Sequence, residues 1–337
     1  MKFALLALAL AACGTSEPPP PKKAPEPPAP PPAAPTVPDN HKALFKALEK
    51  PTPAEADKAK IALGQMLYFD PRLSANGKIS CATCHDPAAG GDDGLATSPG
   101  HEGKNGERNS NTSLNAALQF VQFWDGRAAN VEEQAKGPIL NPVEMGLKDA
   151  AAVEKILSGV EGYKTAFAAA WPDGNITFDR FAEAVGAYER QLITPGRFDK
   201  YLAGDVSALT EAERKGLDTF IATGCIACHS GALLGGTTYQ KLGAVVPYET
   251  KDLGRKAVTG QDADLLMFKV PQLRNIAQTG PYFHDGGVAT LEQAVTLMGK
   301  HQLGKDLTPD EVGSIVTFLK ALDGTVDPLL AKAPTLP

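Results

Sequence analysis

SCATCHDP (residues 80–87) and TGCIACHSGALLGG (residues 223–236) repeat one pattern, Cys-x-x-Cys-His, at Cys81, Cys84 and His85 and again at Cys225, Cys228 and His229. Two thiols at this spacing can add across the two vinyl groups of a porphyrin, and the adjoining imidazole then reaches the iron. Zinc also takes Cys and His ligands, but free thiolates in an exported chain would be open to oxidation. Two intact copies, each preceded by a helical pattern, point to two covalently attached c-type haems.

Outward from the motifs, the two halves follow one plan. Thr52-Pro53-Ala54-Glu55 has the form of a capping box with proline at the first helical position, and Ile61, Leu63, Met66 and Leu67 behind it approximate one apolar face. Thr210-Glu211-Ala212-Glu213 is a second box, followed by Gly216, Leu217 and Phe220. Each half closes on an amphipathic helix. Residues 178–192 space Phe181, Val185, Tyr188 and Leu192 helically; the second helix opens at Thr308-Pro309-Asp310-Glu311, carries Val312, Ile315, Val316, Leu319 and Leu322, and stops at Gly324. Alternating strand patterns are scarce. The expected fold is therefore mainly α, two class I cytochrome c-like haem domains with long loops. The motifs stand 144 positions apart, and Pro195 and Gly196 end the preceding helix, so the domains are expected at residues 41–195 and 196–337.

The chain has 337 residues, 43% of them hydrophobic and 21% charged, the balance of a soluble globular protein. Its net charge of −6 and the lack of a basic cluster argue against a nucleic-acid partner. Of five cysteines, four belong to the haem motifs, which leaves none for a disulfide. The fifth, Cys13, closes a short signal in which Lys2 precedes an apolar run too short to span a bilayer. Leu10-Ala11-Ala12-Cys13 resembles a bacterial lipobox, so residues 1–13 are read as a lipoprotein-type signal with Cys13 lipidated. Residues 14–40 form a proline-rich spacer of polyproline II character. The expected location is the periplasm, with a lipid tether as the only link to a membrane.

A haem iron has a second axial position, and the ligand there decides between electron storage and substrate binding. Of the five methionines, Met66 falls on an apolar helix face and reads as core. Met298 is the candidate for the second haem, although the residues alone leave it equally open to plain packing in a loop. His101, in the glycine-rich run Pro99-Gly100-His101-Glu102-Gly103, reads either as a ligand on a mobile loop or as an exposed loop histidine. The other histidines outside the motifs are His41, His284 and His301.

The runs YFDPRLS (68–74), GLATSPGHEGKNGERNS (94–110), QFWDGRAANVEEQAKGPILNPVEM (122–145), PQLRNIAQTGPYFHDGG (271–287) and TLMGKHQLGK (296–305), with the two haem motifs, resemble the bacterial dihaem cytochrome c peroxidases over residues 44–329. The lipobox and spacer depart from the usual pattern. The resemblance implies a peroxidatic haem at Cys81, Cys84 and His85, with His101 as a distal ligand that leaves on activation. It implies an electron-transferring haem at Cys225, Cys228 and His229, with Met298 as its second ligand. Gln134 and Glu144 match the polar residues of the peroxide pocket, with Pro138 and Met145 nearby, and Trp124 matches a tryptophan between the haems. Asn109, Thr279 and Pro281 match residues whose oxygens hold one calcium ion, and His284 a structural or relay histidine. Hydrogen peroxide, a small cytochrome c or copper-protein donor, and a second copy in a homodimer are the implied partners. Two other readings stand beside it: a dihaem electron carrier, and a protein-modifying dihaem oxidase. Met298 weighs against the oxidase, since such enzymes have Tyr at that place. Glu144 without the resemblance would read as a surface charge.

Overall fold

The computed structural model describes Gly14 and residues 36–337; Cys13 with its expected lipid and nearly all of the proline-rich spacer lie outside the described residues. Each half is organised by two helices that cross at a glycine. In the first, Lys58–Phe69 packs across Phe178–Glu189, and a Cβ on Gly64 would lie 1.9 Å from the Ala184 carbonyl oxygen. In the second, Glu211–Thr223 packs across Pro309–Lys320, and a Cβ on Gly216 would lie 2.2 Å from the Ser314 carbonyl oxygen. The helical apolar spacing supplies the rest of each contact. Leu63, Leu67, Phe181 and Val185 are buried in the first pair; Leu217, Phe220, Ile315 and Leu319 in the second.

The expected capping box at Thr210 forms, and so does one at Thr308, where the sequence reads only as a helix start. The Thr210 hydroxyl accepts from the Glu213 amide at 3.2 Å while the Glu213 carboxylate accepts from the Thr210 amide at 2.8 Å, and Thr308 and Glu311 do the same at 3.3 and 2.8 Å. The box at Thr52 does not. Pro51 and Pro53 hold this stretch extended, a 3₁₀ turn follows at Glu55–Asp57, and the helix begins only at Lys58. Met298 is not in a loop but inside the helix Leu291–Leu303, which Thr290 caps and Gly304, at φ +63°, ends. The closing helices end at Glu189 and Lys320, short of the expected Leu192 and Gly324.

The fold is mainly helical, and the sheet among the described residues is one antiparallel pair, Tyr239–Lys241 with Met267–Lys269. Two large hydrophobic cores result, with a small third cluster at Leu48, Ile193 and Leu233, and the ends of the described segment are exchanged between the two large ones. Val37 and Phe45 pack in the core of the second half, while Val326 and Leu330 pack with the first. His41 belongs to this exchange: its ring is buried, with Nδ1 2.8 Å from the Tyr201 hydroxyl and Nε2 3.0 Å from Asp218. Met66 packs against the first core, as expected.

Two stability predictions follow from these contacts. Gly216→Ala meets backbone, which cannot rotate away, and is expected to cost about 1–3 kcal/mol, whereas exposed Gly313, with nothing within 4 Å, should gain from the same change. Urea unfolding of the haem-loaded protein compares them. Glu189 is buried at 6% exposure at the end of its helix, and burial, with Glu132 nearby, pushes its carboxyl up to about 8. A carboxyl raised on folding contributes stability that is complete below its unfolded value near 4.5 and is lost as pH rises through about 8. Glu189→Gln should flatten that decline and raise the thermal midpoint at pH 8 relative to pH 5.

Candidate functional site

The first Cys-x-x-Cys-His motif is a single helical turn, Cys81–Cys84. Thr83 Oγ1 accepts from the Ser80 amide at 2.9 Å, and the His85 amide closes the turn on the Cys81 carbonyl at 2.9 Å. Tyr68, on the preceding helix, bonds the His85 carbonyl at 2.7 Å and Ser113 Oγ at 3.0 Å, which ties the motif to the first core. His85 Nδ1 is buried with no hydrogen-bond partner. Burial lowers the ring's affinity for a proton, against the opposing pull of the Asn111 and Gly91 backbone and the Asp93 charge. The Cys81 thiol is pushed up to about 12, by burial first and then by Glu189 and Cys84.

Gly224, at φ +101°, ends the helix Glu211–Thr223 and starts the 3₁₀ turn Cys225–Ala227 of the second motif. His229 Nδ1 donates to the Leu234 carbonyl at 2.9 Å, which leaves Nε2 as the free ring atom. A large cavity opens beside it, lined among others by Cys228, Met298, Leu291, Val295 and Leu319. Unbridged thiols at haem spacing, imidazoles whose charged form burial disfavours, an orphaned buried ring nitrogen at His85 and an apolar cavity faced by His229 and Met298 all fit two c-type haems.

Beside the first motif, two loops lock together. The His101 amide donates to the Glu144 carbonyl at 2.8 Å, and His101 Nδ1 lies 3.3 Å from the same oxygen. The ring lies over Gly146, where a Cβ would come within 2.3 Å of it, and Gly100 leaves no room for a Cβ against the Val143 carbonyl. The Glu144 carboxylate accepts from Asn141 Nδ2 at 2.7 Å. Burial raises its pKa above the ordinary carboxyl value, against the opposing pull of Asn141 and Arg127. Its charge reaches Cys84, whose pKa burial raises first and Asp93 and Glu144 raise further. Gln134 and Pro138 stand one turn apart on the helix Val131–Leu140, Gln134 half-buried, and Met145 is core.

Trp124, Asn109, Thr279, Pro281 and His284 all line the cavity of the second motif. Trp124 Nε1 donates to the Asn109 carbonyl at 3.0 Å, and the Trp124 carbonyl accepts from the Lys269 amide at 2.8 Å. Asn109 uses its Nδ2 on the Leu95 carbonyl at 2.9 Å, and its amide on the His284 carbonyl at 2.8 Å. His284 Nε2 meets Thr250 Oγ1 at 3.1 Å. His301 is turned to the Val246 carbonyl at 2.9 Å and to the Tyr248 ring.

The sequence profile of the di-haem cytochrome c peroxidase family matches residues 58–207. The chain is 48% identical over 289 residues to the cytochrome c551 peroxidase of Nitrosomonas europaea, covering 85% of each protein. The chain belongs to the dihaem cytochrome c peroxidase family. It is also 47% identical over 270 residues to the cytochrome c551 peroxidase of Pseudomonas aeruginosa, covering 78% of each. A crystal structure of a MauG-like protein associated with microbial copper homeostasis superposes with a TM-score of 0.72 at 28% identity, covering 86% of this chain and 96% of that one. Membership in a dihaem family brings two c-type haems, and this member supplies two motifs to attach them.

Several residues that shape the sites were not singled out by sequence reasoning. Arg108 bridges Asp125 at 2.6 Å and Asp252 at 2.7 Å, beside Trp124 and Asn109. Its signal was slight, a single arginine in GERNS. Lys269 is more legible in hindsight, as a lone charge inside the apolar run LLMFKVP (265–271). Replacing either pair of motif cysteines, Cys81 and Cys84 or Cys225 and Cys228, by Ala is expected to leave one covalently bound haem per chain, read from the mass of the purified protein and its denatured haem spectrum. Two haems surviving either double replacement would exclude that motif as an attachment point.

Proposed function

We propose that the chain reduces hydrogen peroxide to two waters, taking two electrons from a small periplasmic donor, a cytochrome c or a copper protein, and two protons. The observation that carries this reading is the half-buried Glu144 carboxyl, held by Asn141 beside the first haem motif, in a chain 48% identical to a cytochrome c551 peroxidase. Cys81 and Cys84 attach one haem with His85 as ligand, and Cys225 and Cys228 attach the other with His229 and Met298. When bound, these haems supply the iron that takes peroxide and the store of the second electron.

The protein's own part is positioning and proton transfer. Cleaving the O–O bond requires a proton to move from the near oxygen to the far one, so that the far oxygen leaves as water. Glu144 accepts that proton and returns it, and burial, which raises its pKa above the ordinary carboxyl value, makes it a better proton acceptor than an exposed carboxylate. Gln134 holds an oxygen by hydrogen bonding. His101 would hold the iron of the first haem when bound and would give it up on activation. Its hydrogen bond to the Glu144 carbonyl couples that withdrawal to the loop carrying the acid–base group. Trp124 carries electrons between the halves.

Asn109, Thr279 and Pro281 hold a calcium ion through their oxygens. Support comes from their common place on one cavity and from Asn109, whose Nδ2 is committed to Leu95. The two haem domains are residues 41–195 and 196–337, each a class I cytochrome c-like unit that lends an end to the other's core. Cys13 carries a lipid that tethers the protein in the periplasm. No helix among the described residues is long and apolar enough to cross a membrane. The resemblance to a MauG-like structure favours a second reading, oxidation of a protein substrate at the same sites; Met298 in place of Tyr opposes it.

Glu144→Gln in the haem-loaded protein is expected to lower peroxide turnover by about 100- to 10,000-fold with a reduced small cytochrome as donor. An unchanged rate would remove Glu144 from the chemistry. No turnover by the wild type, fully oxidised or half-reduced, with both haems attached, would favour the carrier or the oxidase.

A further inference from the structure

Among the described residues two lysine or arginine side chains are buried, Arg274 and Lys269, each 1% exposed. Arg274 is paired with Asp199 at 2.8 Å. Lys269 has no carboxylate at ion-pair distance; its ammonium meets the Gln119 side-chain oxygen and, at 3.3 Å, the Val121 carbonyl. Both acceptors are neutral. Asp125 acts on it only from a distance, its carboxylate being engaged by Arg108 and Arg127. A buried charge without a counter-ion costs several kcal/mol, so such groups are normally paired or lose their charge. Burial indeed pushes the Lys269 ammonium down to about 7.

The position of Lys269 shows where its counter-ion belongs. Lys269 and Gln119 line the same cavity as His229, Met298 and Cys228, and that cavity is otherwise largely apolar. The antiparallel pairing of Lys269 with Tyr239 and its amide bond to the Trp124 carbonyl fix its backbone on that wall. A c-type haem attached through its vinyl edge carries two propionate carboxylates at another edge of the ring. We propose that Lys269 is the cationic partner of a propionate of the haem attached at Cys225 and Cys228, and that it raises that haem's potential. The proposal rests on the reading that this cavity holds that haem. A positive charge held in a low-dielectric site favours the form carrying one more electron, and a neutralised propionate removes a charge that would oppose reduction. Gln119 is then the positioning residue that aims the ammonium.

The test is a potentiometric titration of the full-length, haem-loaded protein, following the absorption of both haems. Lys269→Met is expected to lower the reduction equilibrium constant of the C-terminal haem at least tenfold, which is 59 mV for one electron. The N-terminal haem should move less than twofold, and Lys269→Arg should restore most of the loss. A merely structural lysine would lower the thermal midpoint and leave the potential where it was. A C-terminal haem potential within twofold of wild type, with both haems attached, overturns the proposal, and so does an equal shift of both haems. Gln119→Glu decides if the Met variant does not retain haem, because it gives the ammonium a protein carboxylate. The same tenfold fall is expected there, and no fall overturns the proposal. A wild-type protein with no haem at Cys225 and Cys228 would refute the underlying reading instead.

Discussion

The haem motifs are placed by two contacts in which a glycine lets one helix rest on the backbone of another. At Gly64 and Gly216 the atom that a Cβ would strike is a carbonyl oxygen of the facing helix. A side chain could rotate aside; a helical carbonyl cannot without opening the pair. Each glycine-bearing helix then leads towards its Cys-x-x-Cys-His turn, the second directly through Gly224, the first by way of Tyr68 and its bond to the His85 carbonyl. Widening either crossing would therefore move a motif relative to the core that shields it. The duplication is physical as well as sequential: the same constraint is met twice, in two cores that share no central residue.

What the sequence made legible was what is local. Motif spacing names the attached group because the vinyl positions of a porphyrin fix the distance between thiols. The box at Thr210 and the helix start at Thr308 could be read because the residues that form them lie within one turn. The failures share a cause too. Thr52 has the letters of a box, but the flanking prolines favour extended backbone and the helix starts later. Met298 reads as loop because Gly299 and Gly304 flank it. In the structure Gly299 faces Leu307 closely, so there the glycine serves packing within a helix. The exchange of ends between the two large cores and the pairing of Arg108 with Asp252 join residues far apart in sequence, and no periodicity reports such contacts. Of the expected site residues, His101 and Glu144 are joined by a direct hydrogen bond, while Gln134 is placed only by its helix.

Around Trp124 the structure carries a network of charged and amide groups. Asp125 receives Arg108 and Arg127, its carbonyl receives Arg255, and Asp252 takes the other side of Arg108. Trp124 sits inside this network with its indole N–H committed to Asn109. Fully satisfied polar networks of this kind specify one arrangement, because any other would strand a buried charge. A residue proposed to carry electrons gains from that, since its distance to both partners must not drift.

The two motif histidines are unequal, and under the proposed function the difference bears on how the electron store is tuned. His229 Nδ1 donates to the Leu234 carbonyl, whereas His85 Nδ1 has no partner. A hydrogen bond at Nδ1 makes Nε2 the stronger base and so the stronger ligand. A stronger donor favours the more positive, oxidised iron, so this bond alone would lower the potential at the second site. Under the proposed function that site is the one that must hold an electron well. Under the same reading, two features of that cavity act in the opposite direction: the thioether of Met298, which as a ligand would raise the haem potential, and the buried ammonium of Lys269. The histidine bond fixes the ring, and on this reading the potential would be set by Met298 and Lys269, which stand outside the attachment turn and could be changed without disturbing it.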